Sequence, residues 1–488
     1  MTPNDITLSP QQQQILDRLM AFVKQDRQRV FILKGYAGTG KTTLMRFLIQ
    51  ELKRQKTNFR LLAPTGRAAK VLSNICDAGA STIHSMIYTF SDLNQDLSDT
   101  RETELTVSST GQLYLNFEVV TLDTEENDPA IYIVDEASMV ADQEDGNITQ
   151  AKFGSGKLLT ELLAFDSRPE SKFVFVGDPC QLPPIQEVQS PALLPDYFQQ
   201  HFHVKAEERS LSQIFRQQGG STLIPASQQI RKLCENAPAQ ESVYGYQKVW
   251  GRVPLRNCRE TSLYRDFEEM TDAYVKIVKR DGYNSAIFIT PYNKKCSEIS
   301  AQIRRKLGFN GFQLQTGDLM MVIQNNILTG LMNGDMVEVV DIDYEKSFRR
   351  ANLSFVPVRV KELFSKRETA TLLLTDTLYS GILNLDSAQQ TGLFIDFVQR
   401  MKKLGITQRH NKVQFHEALM HDPYLNALRC NFGYAVTCHK AQGGEWEHVF
   451  VDFSNKLMNP TKEKFQWIYT AVTRTRKNLH LLDKLYIQ

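Results

Sequence analysis

The chain has 488 residues, 42% hydrophobic and 23% charged, with a formal net charge of +2. The length suggests about three domains, and the composition is that of ordinary globular cores rather than disordered or fibrous chain. The near-neutral total excludes polyanion binding by bulk charge, though a local basic groove fits within it.

In chain order, the first chemical signal is "VFILKGYAGTGKTTLMRFLIQ": an apolar strand (30–34), a glycine-rich turn, then an amphipathic helix from Lys41. Gly35, Gly40, Lys41 and Thr42 satisfy G-x-x-x-x-G-K-[ST], with Gly38 inside the loop and Thr43 just after it. Glycines let backbone N–H groups curl around phosphate oxygens, Lys41 reaches the β- and γ-phosphates, and the Thr42 hydroxyl can ligate Mg²⁺. "LLAPTGRAAKVL" (61–72) and "STIHSMI" (81–87) follow short strands. Pro64, Thr65, Thr82 and His84 there offer uncharged or singly charged donors suited to a sugar-phosphate chain. A satisfied core histidine is the competing reading of His84.

The segment 89–130 begins polar and acidic, then alternates around a Ser-Ser-Thr-Gly turn, so "ELTV" and "QLYLNFEVV" predict a β-hairpin. "AIYIVDEASMV" (130–140) predicts a buried strand ending in Asp135-Glu136. Carboxylates at a strand's C-terminal end lie where open α/β sheets bind ligands. Asp135 suits Mg²⁺ held through water, and Glu136 suits the base that orients attacking water. "KFVFVGDPCQLPPI" (172–185) adds a third strand and a proline-stiffened turn in which Gln181 can sense a γ-phosphate.

Farther on, "SAIFITPYNKKCSEISAQIRRKL" (285–307) reads as strand then helix. "NLSFVPVRVKELF" and "ETATLLLTDTLY" are strand-like. "GLFIDFVQRMKKLGI" and "FHEALMHDPYLNALRC" read as helices; the basic cluster Arg400, Lys402, Lys403 is a solvated face or a DNA exit. "YAVTCHKAQGGE" (434–445) supplies Thr437, His439 and Lys440 as further backbone donors, with a core histidine again competing at His439. "WIYTAVTRTR" (467–476) brings arginines of the kind that stabilise charge on a departing phosphoryl group.

Seven cysteines (76, 180, 234, 258, 296, 430, 438) form no CxxC pair, against a disulfide framework or zinc site and for a reducing cytoplasm. No run approaches the ~18 apolar residues of a membrane helix, and no secretory signal opens the sequence, so a cytoplasmic location without a membrane partner is expected.

Taken together with "SQIFRQ" (212–217), these stretches resemble, in order and spacing, the superfamily 1 helicases of the B type, the RecD/Dda-like branch, over most of the chain. The resemblance implies an α/β fold of two RecA-like P-loop lobes, with a β-hairpin insertion in the first and a small β-barrel-type insertion in the second. The corresponding division is 1–88 and 131–202 for lobe 1 around the insertion 89–130, then 203–342 and 428–488 for lobe 2 around the barrel-like insertion 343–427. It implies that Gln12 in "LSPQQ" reads the adenine edge, Arg216 reaches the γ-phosphate, Arg474 is the arginine finger, Gly443 and Glu445 approach the nucleotide, and Asn293 contacts DNA. In such helicases the hairpin is a strand-separating pin, for which Phe90, Tyr114 and Phe117 are candidates. ATP and Mg²⁺ as cofactors, single-stranded and forked DNA as partners, 5′→3′ polarity and replication or repair proteins as associates are what the resemblance implies. Two alternatives use the same residues: a P-loop switch or loader that binds DNA or partners without processive unwinding, and a DNA-binding scaffold with an inert nucleotide site.

Overall fold

The computed structural model describes residues 7–25, 28–122, 128–144, 150–213, 221–239, 249–309, 311, 313–379 and 384–488. Six parallel strands form the first sheet, in the order Ala80–Thr82, Phe59–Ala63, Ile131–Val134, Lys172–Gly177, Val30–Gly35, Ala206–Leu211. The central strands are apolar along their length because helices cover both faces, which removes the in-out alternation of a half-exposed sheet. The edge strand Ala206–Leu211 is instead charged: Glu207 pairs with Arg18 and Glu208 with Lys34, which blunts an open edge. Its polarity hides it from a hydrophobic-pattern reading, so a lobe boundary at 202/203 falls inside the first sheet.

The second sheet is also parallel, in the order Thr261–Tyr264, Thr475–Leu482, Trp446–Val451, Ala286–Thr290, Ala435–Thr437. The strands Met336–Ile342, Leu319–Val322, Leu428–Phe432, Glu368–Leu374 and Leu353–Glu362 close on themselves as a five-stranded barrel, the last pairing back with the first. The barrel therefore runs from 319 to 432, beyond the 343–427 of the sequence division, because "LMMV" and "MVEVVDI" pair with barrel strands and not with the parallel sheet.

The first-lobe insertion differs from the expected hairpin. Leu115–Val119 pairs antiparallel with Tyr88–Leu93, and Ala151–Phe153 adds a parallel third strand. "ELTV" forms no strand: Glu102–Glu104 is a 3₁₀ turn and Val107–Thr110 a short helix capped by Thr106. The physical reason is a competing anchor, since Leu97, Leu105 and Leu113 are buried against Leu393, Phe394 and Phe397 of helix Ser387–Lys403. Asp92 receives Lys412, His416 and Gln408, and Arg409 pairs with Asp96 and Asp99. The two insertions are thus packed into one body. Within it Arg400 is taken by Asp396 and Asp422, and Lys402 by the Thr100 carbonyl.

Candidate active site

Strand Val30–Gly35 delivers the chain into a loop whose Gly38 and Gly40 have φ of +80° and +78°, conformations that glycine adopts without strain. At Gly35 a Cβ would fall 2.7 Å from Thr39 Oγ1. No side chain caps the first turn of helix Lys41–Arg54, whose N–H groups and dipole favour an anion. The Lys41 ammonium donates to the carbonyl oxygens of Gly35 and Tyr36, at 2.7 and 3.2 Å.

Asp135 and Glu136 stand at the end of the neighbouring strand Ile131–Val134. Burial, reinforced by Glu136 and opposed by Lys41, holds the Asp135 carboxyl above the ordinary carboxylate range. Glu136 adopts a left-handed backbone with φ of +50°, a strained setting for a side chain of its size that costs about 1–3 kcal/mol. Gln181 is buried, and its Oε1 has no hydrogen-bond partner.

The opposite wall comes from the second lobe. Gly443, Glu445 and Arg474 line the same cleft, of about 710 Å³, as Gly38, Gly40, Lys41, Thr42, Thr43, Asp135, Glu136 and Gln181. Arg474 is buried and donates to the carbonyls of Thr470 (3.1 Å) and Gly444 (3.3 Å). Helix Lys462–Val472 clasps the Gln181 loop: Thr470 Oγ1 accepts from Leu182 N–H at 3.0 Å and Gln466 donates to the Gln181 carbonyl at 3.3 Å. Tyr469 donates to Asp178 (2.9 Å) and accepts from the P-loop Ala37 N–H (3.1 Å). Left-handed glycines, an ammonium resting on carbonyls and an orphaned buried amide oxygen fit a phosphate ligand with its counter-cation. Among the described residues no cluster of three His, Cys, Asp or Glu forms a cation site without such a ligand.

Other sequence candidates lie elsewhere. Gln12 sits behind the loop, completing a capping box with Ser9 and donating to the Thr39 carbonyl at 3.3 Å; it is 4% exposed and does not line the cleft. Arg216 lies outside the described residues. Pro64, Thr65, His84 and His439 line one groove of about 450 Å³ that spans both lobes. Asn293, Thr437 and Lys440 line another of about 170 Å³. Burial lowers the pKa of His84, His439 and Lys440, which favours their uncharged forms. Thr82 is buried, and its hydroxyl is spent capping helix Ile83–Ile87 through Ser85. Phe90 packs against Phe117 and His416, and Phe117 stacks on Phe153, so both are wedged between insertion elements instead of standing at a free tip. Tyr114 is half-buried, just before strand Leu115–Val119.

Three residues with no sequence signal complete the picture. Tyr469 looks like a core aromatic in "WIYTAV". Arg67 stacks on Trp446 inside the cleft, and Lys70 reaches two buried carboxylates, Asp335 and Glu362, at 2.6 Å each. Only the spacing Thr65-x-Arg67-x-x-Lys70, at the start of a helix next to a functional loop, could have drawn attention to the cations.

Two parallel sheets, the first ending in a P-loop, that share a cleft of about 710 Å³ define a bilobal P-loop NTPase. The AAA domain family model matches residues 7–243, and the UvrD-like helicase C-terminal domain matches residues 432–482. The chain is 22% identical to an uncharacterised protein of Acanthamoeba polyphaga mimivirus, over 96% of this chain and 98% of that protein. It is 23% identical to the ATP-dependent DNA helicase dda of Enterobacteria phage T4, over 72% of this chain and 71% of that one. With the ATP-dependent RecD2 DNA helicase of Deinococcus radiodurans it shares 27% identity over 96% of this chain and 48% of the other. In these matches the chain is similar to superfamily 1 helicases of the B type, of the RecD/Dda-like group.

Proposed function

We propose that this protein is an ATP-dependent DNA helicase that translocates 5′→3′ on single-stranded DNA and unwinds duplex by alternating closure of its two lobes. The single observation that carries the reading is the cleft in which Lys41, Asp135 and Glu136 of the first lobe face Gly443, Glu445 and Arg474 of the second. A ligand that touches both walls binds the closed state better than the open one, and that difference in affinity drives closure. Lys41 and the loop N–H groups hold the triphosphate, and Thr42 and Asp135 hold its Mg²⁺, which supplies charge neutralisation at the phosphates. Glu136 orients and deprotonates water, Gln181 senses the terminal phosphate, and Arg474 stabilises charge on the departing group.

The grooves lined by Thr65, His84, His439, Asn293 and Lys440 carry the single strand. Donors that are largely uncharged follow a backbone without reading bases. Opening duplex costs about 1.4 kcal/mol per base-pair step, and the insertion body holding Phe90, Tyr114 and Phe117 is the element to oppose the fork. Polarity and the forked substrate follow the B-type relatives. The test is unwinding of forked duplexes bearing only a 5′ or only a 3′ tail, alongside ATPase with and without single strand. Unwinding from the 5′ tail with strong ATPase stimulation is expected. Stimulation without strand separation would favour the switch or loader.

A further inference from the structure

Helix Gly66–Cys76 brings into the cleft an arginine that the motifs leave without a role. Arg67 Cζ lies 4.3 Å from the ring centroid of Trp446, so a first-lobe guanidinium stacks on a second-lobe indole. Both flank Gly444: a Cβ there would fall 3.0 Å from Arg67 Cζ and 2.5 Å from Trp446 Cη2. From another side, Arg474 donates to the Gly444 carbonyl at 3.3 Å. Two guanidinium groups therefore converge on one glycine.

Neither makes an ion pair with a carboxylate there, although Asp178 acts on Arg474 and Asp335 on Arg67 without contact. The partners of Arg474 are carbonyl and hydroxyl oxygens, and among the described residues Arg67 is held by the indole face alone. The acid that acts on Arg67, the buried Asp335, is occupied by the Lys70 ammonium at 2.6 Å and the Met332 N–H at 2.7 Å. Burial brings the Arg67 pKa down to about 10, with Asp335 opposing and Arg474 adding to the fall. Paired like charges with no carboxylate in contact are costly unless an anion enters between them.

We propose that Arg67, positioned by Trp446, is a second phosphate-binding arginine of the cleft and acts together with Arg474 on the terminal phosphates of the nucleotide. The proposal rests on the ATPase reading above. Stacking fixes the guanidinium plane while leaving its in-plane N–H groups free to fork onto phosphate oxygens. The DNA backbone is the less favoured anion, because Arg67 lines the cleft with Lys41 and Asp135, whereas Thr65 two residues earlier lines the groove. The stack also crosses between lobes.

The test compares wild type with Arg67→Ala, Arg67→Lys, Trp446→Leu and Arg67→Ala/Arg474→Ala. The readouts are ATPase on saturating single strand, affinity for ADP with aluminium fluoride and for ADP alone, single-strand affinity without nucleotide, and Tm. Arg67→Ala should lower kcat roughly 10–100-fold and weaken the aluminium fluoride complex more than ADP, with single-strand affinity within about twofold of wild type. Arg67→Lys should recover little, since an ammonium neither stacks flat nor forks. The double variant should fall short of the product of the single effects, as expected for groups acting on one ligand. Turnover within about twofold of wild type in Arg67→Ala, or a loss of single-strand affinity that parallels the ATPase loss, would overturn the assignment. If Arg67→Ala does not fold, Arg67→Lys and Trp446→Leu decide by the same criteria. A wild type without DNA-stimulated ATPase would remove the underlying reading, and this assignment with it; a normal wild type beside a normal Arg67→Ala removes this assignment alone.

Discussion

Lys41 rests on two loop carbonyls, at 2.7 and 3.2 Å, a position an incoming phosphate would contest with a full negative charge. Lys41→Ala should therefore abolish DNA-stimulated ATPase, by ~10²-fold or more, while Tm stays near wild type; retained turnover would refute its role. Asp135 gives a prediction with two opposite signs. Its raised pKa means that the folded, ligand-free protein favours the protonated carboxyl. That contribution to stability is complete below the unfolded value of about 4 and is lost as pH rises through the higher folded value. Metal affinity runs the other way, because only the carboxylate binds the cation. Asp135→Asn should thus raise the ligand-free Tm at neutral pH, by about 2–4 °C, and abolish Mg²⁺-dependent hydrolysis. In wild type, Mg²⁺-nucleotide affinity should fall as pH drops below neutrality. A fall in Tm for Asp135→Asn would contradict the assigned desolvation.

Among elements, helix Lys462–Val472 does the most to join the two walls. Its Tyr469 hydroxyl serves Asp178 and the Ala37 N–H together; Asp178 is fully buried and Ala37 partly so. Tyr469→Phe keeps the ring but removes one donor from the buried Asp178, which retains the Cys180 N–H, and leaves the Ala37 N–H without its acceptor, at about 1–3 kcal/mol in all. It should lower Tm and slow hydrolysis, read by thermal melts and steady-state ATPase; an unchanged melt would mean that water replaces the hydroxyl. The insertion body makes a different prediction. Leu105 is buried against helix Ser387–Lys403, and Leu105→Ala should cost about 2–4 kcal/mol of local packing. Loosening the body proposed to oppose the fork should lower base pairs opened per ATP while sparing ATPase. Equal loss of both would assign Leu105 to global stability instead.

Across the whole molecule, the first lobe meets the barrel as well as the second sheet. Among the described residues Lys70 alone pairs with both Asp335 and Glu362, which are 4% and 6% exposed. A Cβ on the nearby Gly66 would fall 2.2 Å from Met332 Sδ, so the start of this helix is seated directly on the barrel loop. Lys70→Met should leave two buried carboxylates unpaired, at a cost of roughly 3 kcal/mol or more. The expected outcome is a lower Tm at neutral pH that recovers toward wild type on acidification, as the carboxyls protonate. A pH-independent deficit would show that packing, not charge, holds this seam.

What the sequence determined by itself was the chemistry that is local in the chain. A strand, a glycine turn and a lysine-led helix are encoded within some twenty residues, as are the acidic strand end and the Gln181 turn; the late "KAQGGEW" and "TAVTRTR" stretches were legible only through family spacing. Tertiary structure decided whatever depends on which distant surfaces meet. The charged strand Ala206–Leu211 pairs with Val30–Gly35 and is tied down by ion pairs to Lys34 on that strand and to Arg18 on a helix, which no apolar pattern announces, and "ELTV" gives up strand pairing for a leucine anchor about 290 residues away. Arg67, Tyr469 and Lys70 carry no motif of their own, since each gains its meaning from a partner in another part of the fold. Local backbone preference and short-range periodicity can be read from neighbours in sequence, whereas burial, ion pairing and stacking are properties of the assembled surfaces.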